Sequence, residues 1–341
     1  MYLNFLLREM THLRYYVPII EEGNRRGIKS RFLITPSRKY NCPLKHHSVC
    51  EDIMNRYNIE AYDGKKKVEG VLFINENSGL EYTKNVMSEN CKLVVTTYQT
   101  DFTESYSKYY DEADYIMMPS KNIANYYNLH NDKNLYLGIT KYDEPIDKQS
   151  VYEKYTNIDK KKKKVLLMWP KYRDLHKFPI DIIRNFNELG WQVLVKTRGK
   201  DPVSKETTRD LEDNGNCVFY DNWYPHTTQE LLEISDLVVN CGSTTIEECV
   251  MHEVPIINFD IKPEIRHGQV KKHRVTHSYL YDYDFCLDLK ALDTSFSTQK
   301  LKEMIDGIFS KDLITAFKKC KKEWLYDHKN TCKHLLDVIL S

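Results

Sequence analysis

The chain has no CxxC pair, no excess of charge of either sign, and no apolar run long enough to cross a bilayer. Each absence removes a class of protein. Nine scattered cysteines, an odd number without paired spacing, argue against a disulfide framework or a zinc knuckle, so reduced thiols are expected. Lys and Arg total 50 against 49 Asp and Glu, a net charge of +1. A dedicated nucleic-acid binder would show a clear basic excess. The opening "MYLNFLLREMTH" has an apolar start but neither a basic leading region nor a small-residue cleavage site, and it reads as a buried strand rather than a signal peptide. No repeat at solenoid spacing is visible. The expectation is a soluble, cytoplasmic protein with no nucleic-acid partner and no transmembrane segment.

What is present is a repeated grammar. At 341 residues the chain exceeds the usual size of one core, so two domains are expected. In the first half "YLNFLL", "SRFLIT", "VEGVLFIN", "CKLVVTTY", "ADYIMMPS" and "NLYLGI" read as strands, with helices in "THLRYYVPIIEEGNRRG" and "SVCEDIMNRYN". The second half restarts with "KVLLMWP", "WQVLVKT", "CVFYD", "DLVVNCG" and "PIINFD", separated by helical stretches. Strands alternating with helices predict doubly wound parallel sheets, an α/β class. The expected division is a first Rossmann-like domain at 1–145, a polar, lysine-rich linker at 146–163, a second Rossmann-like domain at 164–320, and a terminal helix at 321–341 open to packing back on the first domain. The run of five lysines before the second domain reads as a solvated boundary, with phosphate binding as the alternative.

Two such domains bind ligands at the carboxyl ends of their strands, in an expected shared cleft. Motifs at strand-to-helix junctions therefore matter most. In "SDLVVNCGSTTIEECVMHEVPIINFD", residues 235–260, a strand runs into Gly242, Ser243, Thr244 and Thr245 before a helix carrying Glu247 and Glu248. A helix start offers unpaired N–H groups and partial positive charge, which suits a phosphate. Gly242 permits close backbone approach, the hydroxyls add donors, and a glutamate one turn later can accept from a sugar diol. The competing reading is an ordinary N-cap, worth about 1 kcal/mol. Spacing alone leaves both open.

The same segment resembles the nucleotide-binding region of the GT-B glycosyltransferase superfamily, in which a small-residue turn, a glutamate and a Gly-x-Pro close the donor site. In that resemblance the glutamate seven residues before the proline holds the ribose, here Glu248 before Pro255, and Ser243, Thr244 and Thr245 become diphosphate ligands. Glu253 stands where the family usually has glycine. "THLRYYVPIIEEGNRRG" also resembles the first loop and helix of many members, with His12, Pro18 and Gly27, although Arg8, Glu9 and Met10 replace a glycine-rich run. The plan as a whole is similar to CDP-glycerol glycerophosphotransferases and UDP-N-acetylglucosamine 2-epimerases. The resemblance implies a two-domain GT-B fold with C-terminal helices and a nucleotide-sugar donor site in the second domain. It implies an enzyme of glycan or surface polysaccharide synthesis, with a hydroxyl acceptor.

Further strand-end residues fit that site. Lys171, Arg173 and His176 follow one strand, and Lys196 and Arg198 follow the next, where cations can stabilise a leaving diphosphate. Tyr220, Asp221 and Trp223 lie in the loop expected to cradle a base, with Trp223 suited to stacking. Glu264 and His267 follow the last core strand, in the loop where the resemblance implies contacts to the donor or acceptor sugar. The base that takes the acceptor proton is expected from His12 or Asp101, with Glu76 and Glu104 as further carboxylates. "DYDF" at 282–285 superficially fits the Asp-x-Asp of metal-dependent transferases but comes too late in the chain and reads as a loop. No metal and no cofactor are expected. Glycerol-phosphate transfer, sugar epimerisation and non-catalytic nucleotide-sugar binding remain the alternatives.

Overall fold

The computed structural model describes residues 1–35, 46–75, 80–97, 108–170, 178–197, 202–241, 243, 245–259, 278–289, 297–326 and 330–341. Two compact units emerge, Met1–Pro145 with Lys322–Ser341, and Ile146–Lys321.

In the first unit the order is β1 (Tyr2–Leu7), α1 (Leu13–Arg25), β2 (Lys29–Ile34), α2 (Ser48–Arg56), β3 (Glu60–Ala61), β4 (Val71–Asn75) and α3 (Leu80–Val86). It continues with β5 (Lys92–Thr96), β6 (Tyr115–Met118), α4 (Lys121–Tyr126) and β7 (Asn134–Tyr136). The seven strands form one parallel sheet ordered β3-β2-β1-β4-β5-β6-β7. Both faces are covered, which is why β4 is apolar throughout except for its last residue, Asn75, and buried at every position. Register places Phe5 beside both Phe32 and Phe73, and the Phe5 and Phe73 rings stack at 4.9 Å.

The second unit contains α5 (Lys148–Lys154), β8 (Lys164–Met168), α6 (Phe178–Glu188), β9 (Gln192–Lys196), α7 (Lys205–Asp213), β10 (Cys217–Phe219) and α8 (Thr227–Ile234). Then come β11 (Leu237–Cys241), α9 (Thr245–His252), β12 (Ile256–Phe259), β13 (Cys286–Leu289), α10 (Thr298–Phe309) and α11 (Leu313–Cys320). Its six parallel strands run β10-β9-β8-β11-β12-β13. The strand order reverses between β8 and β11, the kind of position where open α/β sheets take ligands. Trp169, Phe186, Trp191 and Phe259 anchor its core.

Residues 146–163, read as a linker from their lysines, lie with the second unit. The buried Glu230 of α8 explains the docking of α5. Its carboxylate receives Lys154 Nζ at 2.7 and 2.8 Å and the Tyr155 hydroxyl at 2.7 Å. Burial, reinforced by Glu230, pushes the Tyr155 phenol well up.

The last helix, α12 (Thr331–Leu340), belongs to the first unit. Charge at both its ends holds it there. Asp143 accepts from the Thr331 N–H at 3.0 Å and from the Cys332 N–H, while Lys92 donates to the Ile339 carbonyl at 2.9 Å. An acid at the amino end and a cation at the carboxyl end both complement the helix dipole. The chain returns tightly past Gly138, whose φ is +84° and where a Cβ would stand 3.1 Å from the Tyr326 carbonyl oxygen, so only glycine fits. Among the described residues no helix is long and apolar enough to cross a membrane, and the eight described cysteines are all free.

Candidate functional site in the second unit

The β11–α9 junction is built by a row of polar side chains inside an apolar sheet. Register aligns Asn240 with Asn258 and Asn258 with Asp288 across β11, β12 and β13. Asn240 Nδ2 donates to Asn258 Oδ1 at 2.8 Å, and Asn258 Nδ2 donates to Asp288 Oδ1 at 2.8 Å. Asn240 also grips the turn, donating to the Ser243 carbonyl at 3.0 Å and accepting from the Ser243 N–H at 3.2 Å. Both asparagines are fully buried, so these bonds avoid the cost of desolvated amides. These bonds tie Ser243 to the end of β11.

At the entry to α9 Ser243 Oγ lies 2.9 Å from Thr245 Oγ1 and accepts from the Thr245 N–H at 3.4 Å. Ser243 thus serves the first N–H of α9, and both hydroxyls are buried. Glu247 and Glu248 occupy the first turn, where acids suit the dipole, and both are buried. Glu248 Oε1 stands 3.5 Å from Nδ1 of His226, each side chain only 8% exposed. His226 is the residue that precedes α8 in the loop after β10. Sequence reading passed over it. Its one signal was position, directly before the helical "TTQELLEIS" at a strand-end loop.

Two predicted ligand residues meet one another. Lys196, at the end of β9 and buried, places Nζ 2.9 Å from Asp221 Oδ1 and donates to the Thr197 carbonyl at 2.9 Å. The cation expected to meet a phosphate is thus paired with the acid expected near a base. The loop after β10 is tied by Thr227 Oγ1, which accepts from the Asn222 N–H at 2.8 Å and donates to the Tyr220 carbonyl at 3.2 Å. Trp223 is half-buried on this loop.

Glu253 follows α9 with φ at +57°, the left-handed region that favours glycine. The Val254 N–H reaches the Cys249 carbonyl at 3.0 Å and the Glu253 N–H reaches the Val250 carbonyl at 3.3 Å, a Schellman closure. Its carboxylate receives Lys321 Nζ at 2.7 Å.

In the first unit, His12 lies between β1 and α1 and is 2% exposed. Burial drives its pKa down to about 4, against Glu9 and a hydrogen bond to the backbone at Leu6, while Arg14 and Arg8 lower it further. The imidazole is neutral at neutral pH. Its Nδ1 makes no hydrogen bond, and its ring meets Tyr16 edge-on at 5.8 Å. Asp101, Glu76 and Glu104 lie outside the described residues, as do Lys171, Arg173, His176, Arg198, Gly242, Thr244, Glu264 and His267. Residues 281–285 form turns leading into β13. Among the described residues no three His, Cys, Asp or Glu side chains converge as metal ligands would.

No family profile matches the chain, and no curated protein does. Solved structures do. The wall teichoic acid polymerase TagF, soaked with CDPG, matches at a TM-score of 0.64 and 14% identity, over 100% of this chain and 88% of that one. UDP-GlcNAc 2-epimerase from Neisseria meningitidis, bound to UDP-GlcNAc, matches at 0.61 and 11% identity over 100% of both chains. A glycosyltransferase from Rickettsia africae matches at 0.55 and 12% identity, over 99% of this chain and 97% of that one. The likeness shows the fold, the GT-B plan of two Rossmann-like parallel-sheet domains.

Proposed function

We propose that the protein is a metal-independent glycosyltransferase, moving a sugar from a nucleotide-diphosphate donor to a hydroxyl acceptor. One observation carries this reading: α9 starts at the strand-order reversal of the second sheet, with buried Ser243 and Thr245 at its entry and buried Glu248 in its first turn. A diphosphate at that helix start meets N–H groups and the positive end of the dipole. Glu248 accepts from the ribose hydroxyls, and Trp223 with the backbone at Asp221 takes the base. Arg173, Lys196 and Arg198 spread the diphosphate charge, Lys196 oriented by its pair with Asp221. Gly242, Thr244 and Glu264 complete the donor set.

In the transfer, the acceptor oxygen attacks the anomeric carbon and the bond from that carbon to the diphosphate breaks. The acceptor proton passes to His12 or Asp101, and the nucleoside diphosphate leaves with its charge taken up by the helix end and the cations. Neutral His12 holds the lone pair this step needs. A fold shared with a glycosyltransferase and with an epimerase bound to UDP-GlcNAc supports the donor class.

The likeness to TagF over the whole chain favours a second reading, glycerol-phosphate transfer from CDP-glycerol. There the acceptor attacks the phosphorus bearing glycerol, and CMP leaves. Incubation with UDP-, GDP- and CDP-linked donors separates the two. Release of nucleoside diphosphate supports sugar transfer, and CMP from CDP-glycerol supports the second reading. Interconversion of UDP-sugars without UDP release points to epimerisation, and binding without turnover of any donor overturns both transferase readings.

A further inference from the structure

The lysine run ahead of the second sheet has a partner surface that sequence alone does not reveal. Lys160, Lys161, Lys162 and Lys163 are all exposed. Lys163 Nζ lies 5.8 Å from the ring centroid of Phe309, at the end of α10, and 5.4 Å from that of Trp191. Phe309 is 42% exposed, and Ile314, at the start of α11, is 78% exposed. Between them stands exposed Lys311, and exposed Lys318 shares the helix face of Ile314 four residues on. Asp159, Asp306 and Asp312 are the acids beside these residues, and Asp306, one turn before Phe309, pairs with Lys302 Nζ at 2.6 Å. Asp159 accepts from the Lys161 N–H and Asp312 from the Thr315 N–H, so all three are engaged locally.

We propose that this surface, which carries exposed Phe309 and Ile314 with Lys160–Lys163, Lys311 and Lys318 on the same segments, docks on an anionic lipid bilayer. Single exposed apolar residues need no explanation, but two on segments that also carry six exposed lysines offer both parts of an interfacial contact. Lysines near an anionic leaflet each contribute attraction that salt weakens, and the apolar side chains enter the headgroup boundary. A soluble polyanion would use the lysines and leave Phe309 and Ile314 in water, which is why the bilayer is the better fit. The adjoining cavity of about 440 Å³ is lined by Asp282, Asp284 and Glu303 as well as Lys300 and Lys311, a balance that does not favour phosphate, so the contact falls on the exposed rim. The proposal stands apart from the donor site and does not depend on which reaction is catalysed.

The test is flotation of the full chain with vesicles of equal parts phosphatidylcholine and phosphatidylglycerol, against phosphatidylcholine alone. The expected result is binding to the anionic vesicles only, weakened by salt. Ile314→Glu, and separately Lys161→Glu with Lys162→Glu, each lower the partition coefficient roughly tenfold or more. The indole emission added by Phe309→Trp shifts to the blue on anionic vesicles alone. Thermal melts check that the variants fold. Absence of flotation, equal flotation with neutral vesicles, or no blue shift in the Phe309→Trp variant overturns the proposal. So does full binding by Ile314→Glu when the lysine variant has lost it, since that pattern belongs to a polyanion site.

Discussion

Lys196 and Asp221, 25 residues apart, form a 2.9 Å ion pair at the strand ends of the second sheet, with the lysine buried and the carboxylate 30% exposed. The pair sets both residues' roles, because neither charge is free to act alone. Removing Asp221 leaves a buried ammonium without its carboxylate. Asp221→Ala is expected to destabilise by about 1–3 kcal/mol, discounted for the exposed side of the acid. Lys196→Met with Asp221→Ala is expected to recover part of that loss. Urea midpoints of the two singles and the double give the coupling, and strict additivity would show the pair to be inert.

Glu248 faces His226 across the gap between α9 and α8. If its carboxylate grips a ribose, Glu248→Ala lowers nucleotide affinity by roughly tenfold or more, as read by calorimetric titration. Unchanged affinity would remove Glu248 from the donor site. His226→Asn keeps a polar group near the carboxylate and is expected to retain more affinity than His226→Ala. Equal losses would deny His226 a positioning part.

His12 makes stability depend on pH. Its folded pKa of about 4 lies below the ordinary 6.5, so the native state binds fewer protons than the unfolded chain between those values. The stabilisation is complete above pH 6.5 and is lost as pH falls toward 4, on the order of 3 kcal/mol in all. Denaturant titrations at neutral and acid pH should show this slope, reduced in His12→Asn. If His12 is also the base, kcat/KM keeps its value down to about pH 5 and declines only below it.

Glu253 bears a left-handed φ and a bond to Lys321. Glu253→Ala keeps the strain and loses the bond, whereas Glu253→Gly loses the bond but relieves the strain. The glycine variant is expected to exceed the alanine variant by about 1 kcal/mol in urea denaturation. The reverse order would show that the left-handed backbone at this position carries no strain.

Much of the fold could be read before any coordinate. Runs such as "KVLLM" and "DLVVNC" are apolar because parallel strands are buried on both faces, and the helices between them show the expected spacing. The missed elements β3, α3, α4 and β13 are short, as in "CLDL" of β13, whereas α10 carries Leu301, Ile305 and Ile308 at clear helical spacing and was passed over. The site was legible in part. Ser243, Thr245 and Glu248 were visible as a turn followed by an acidic helix start, because capping and dipole effects act over a few consecutive residues. His226 was not visible, since its partner lies 22 residues away on another helix.

By itself the sequence determined the class of structure, parallel sheets alternating with helices and a strand-turn-helix with acids at the helix start, because periodicity and capping are local properties. Tertiary structure decided which side chains meet. Asn240, Asn258 and Asp288 align only through strand register, Lys196 finds Asp221 only once β9 and β10 pair, and α12 joins the first unit because Asp143 and Lys92 wait at its two ends. Such contacts join residues far apart in the chain, and no local pattern encodes a distance that only packing creates.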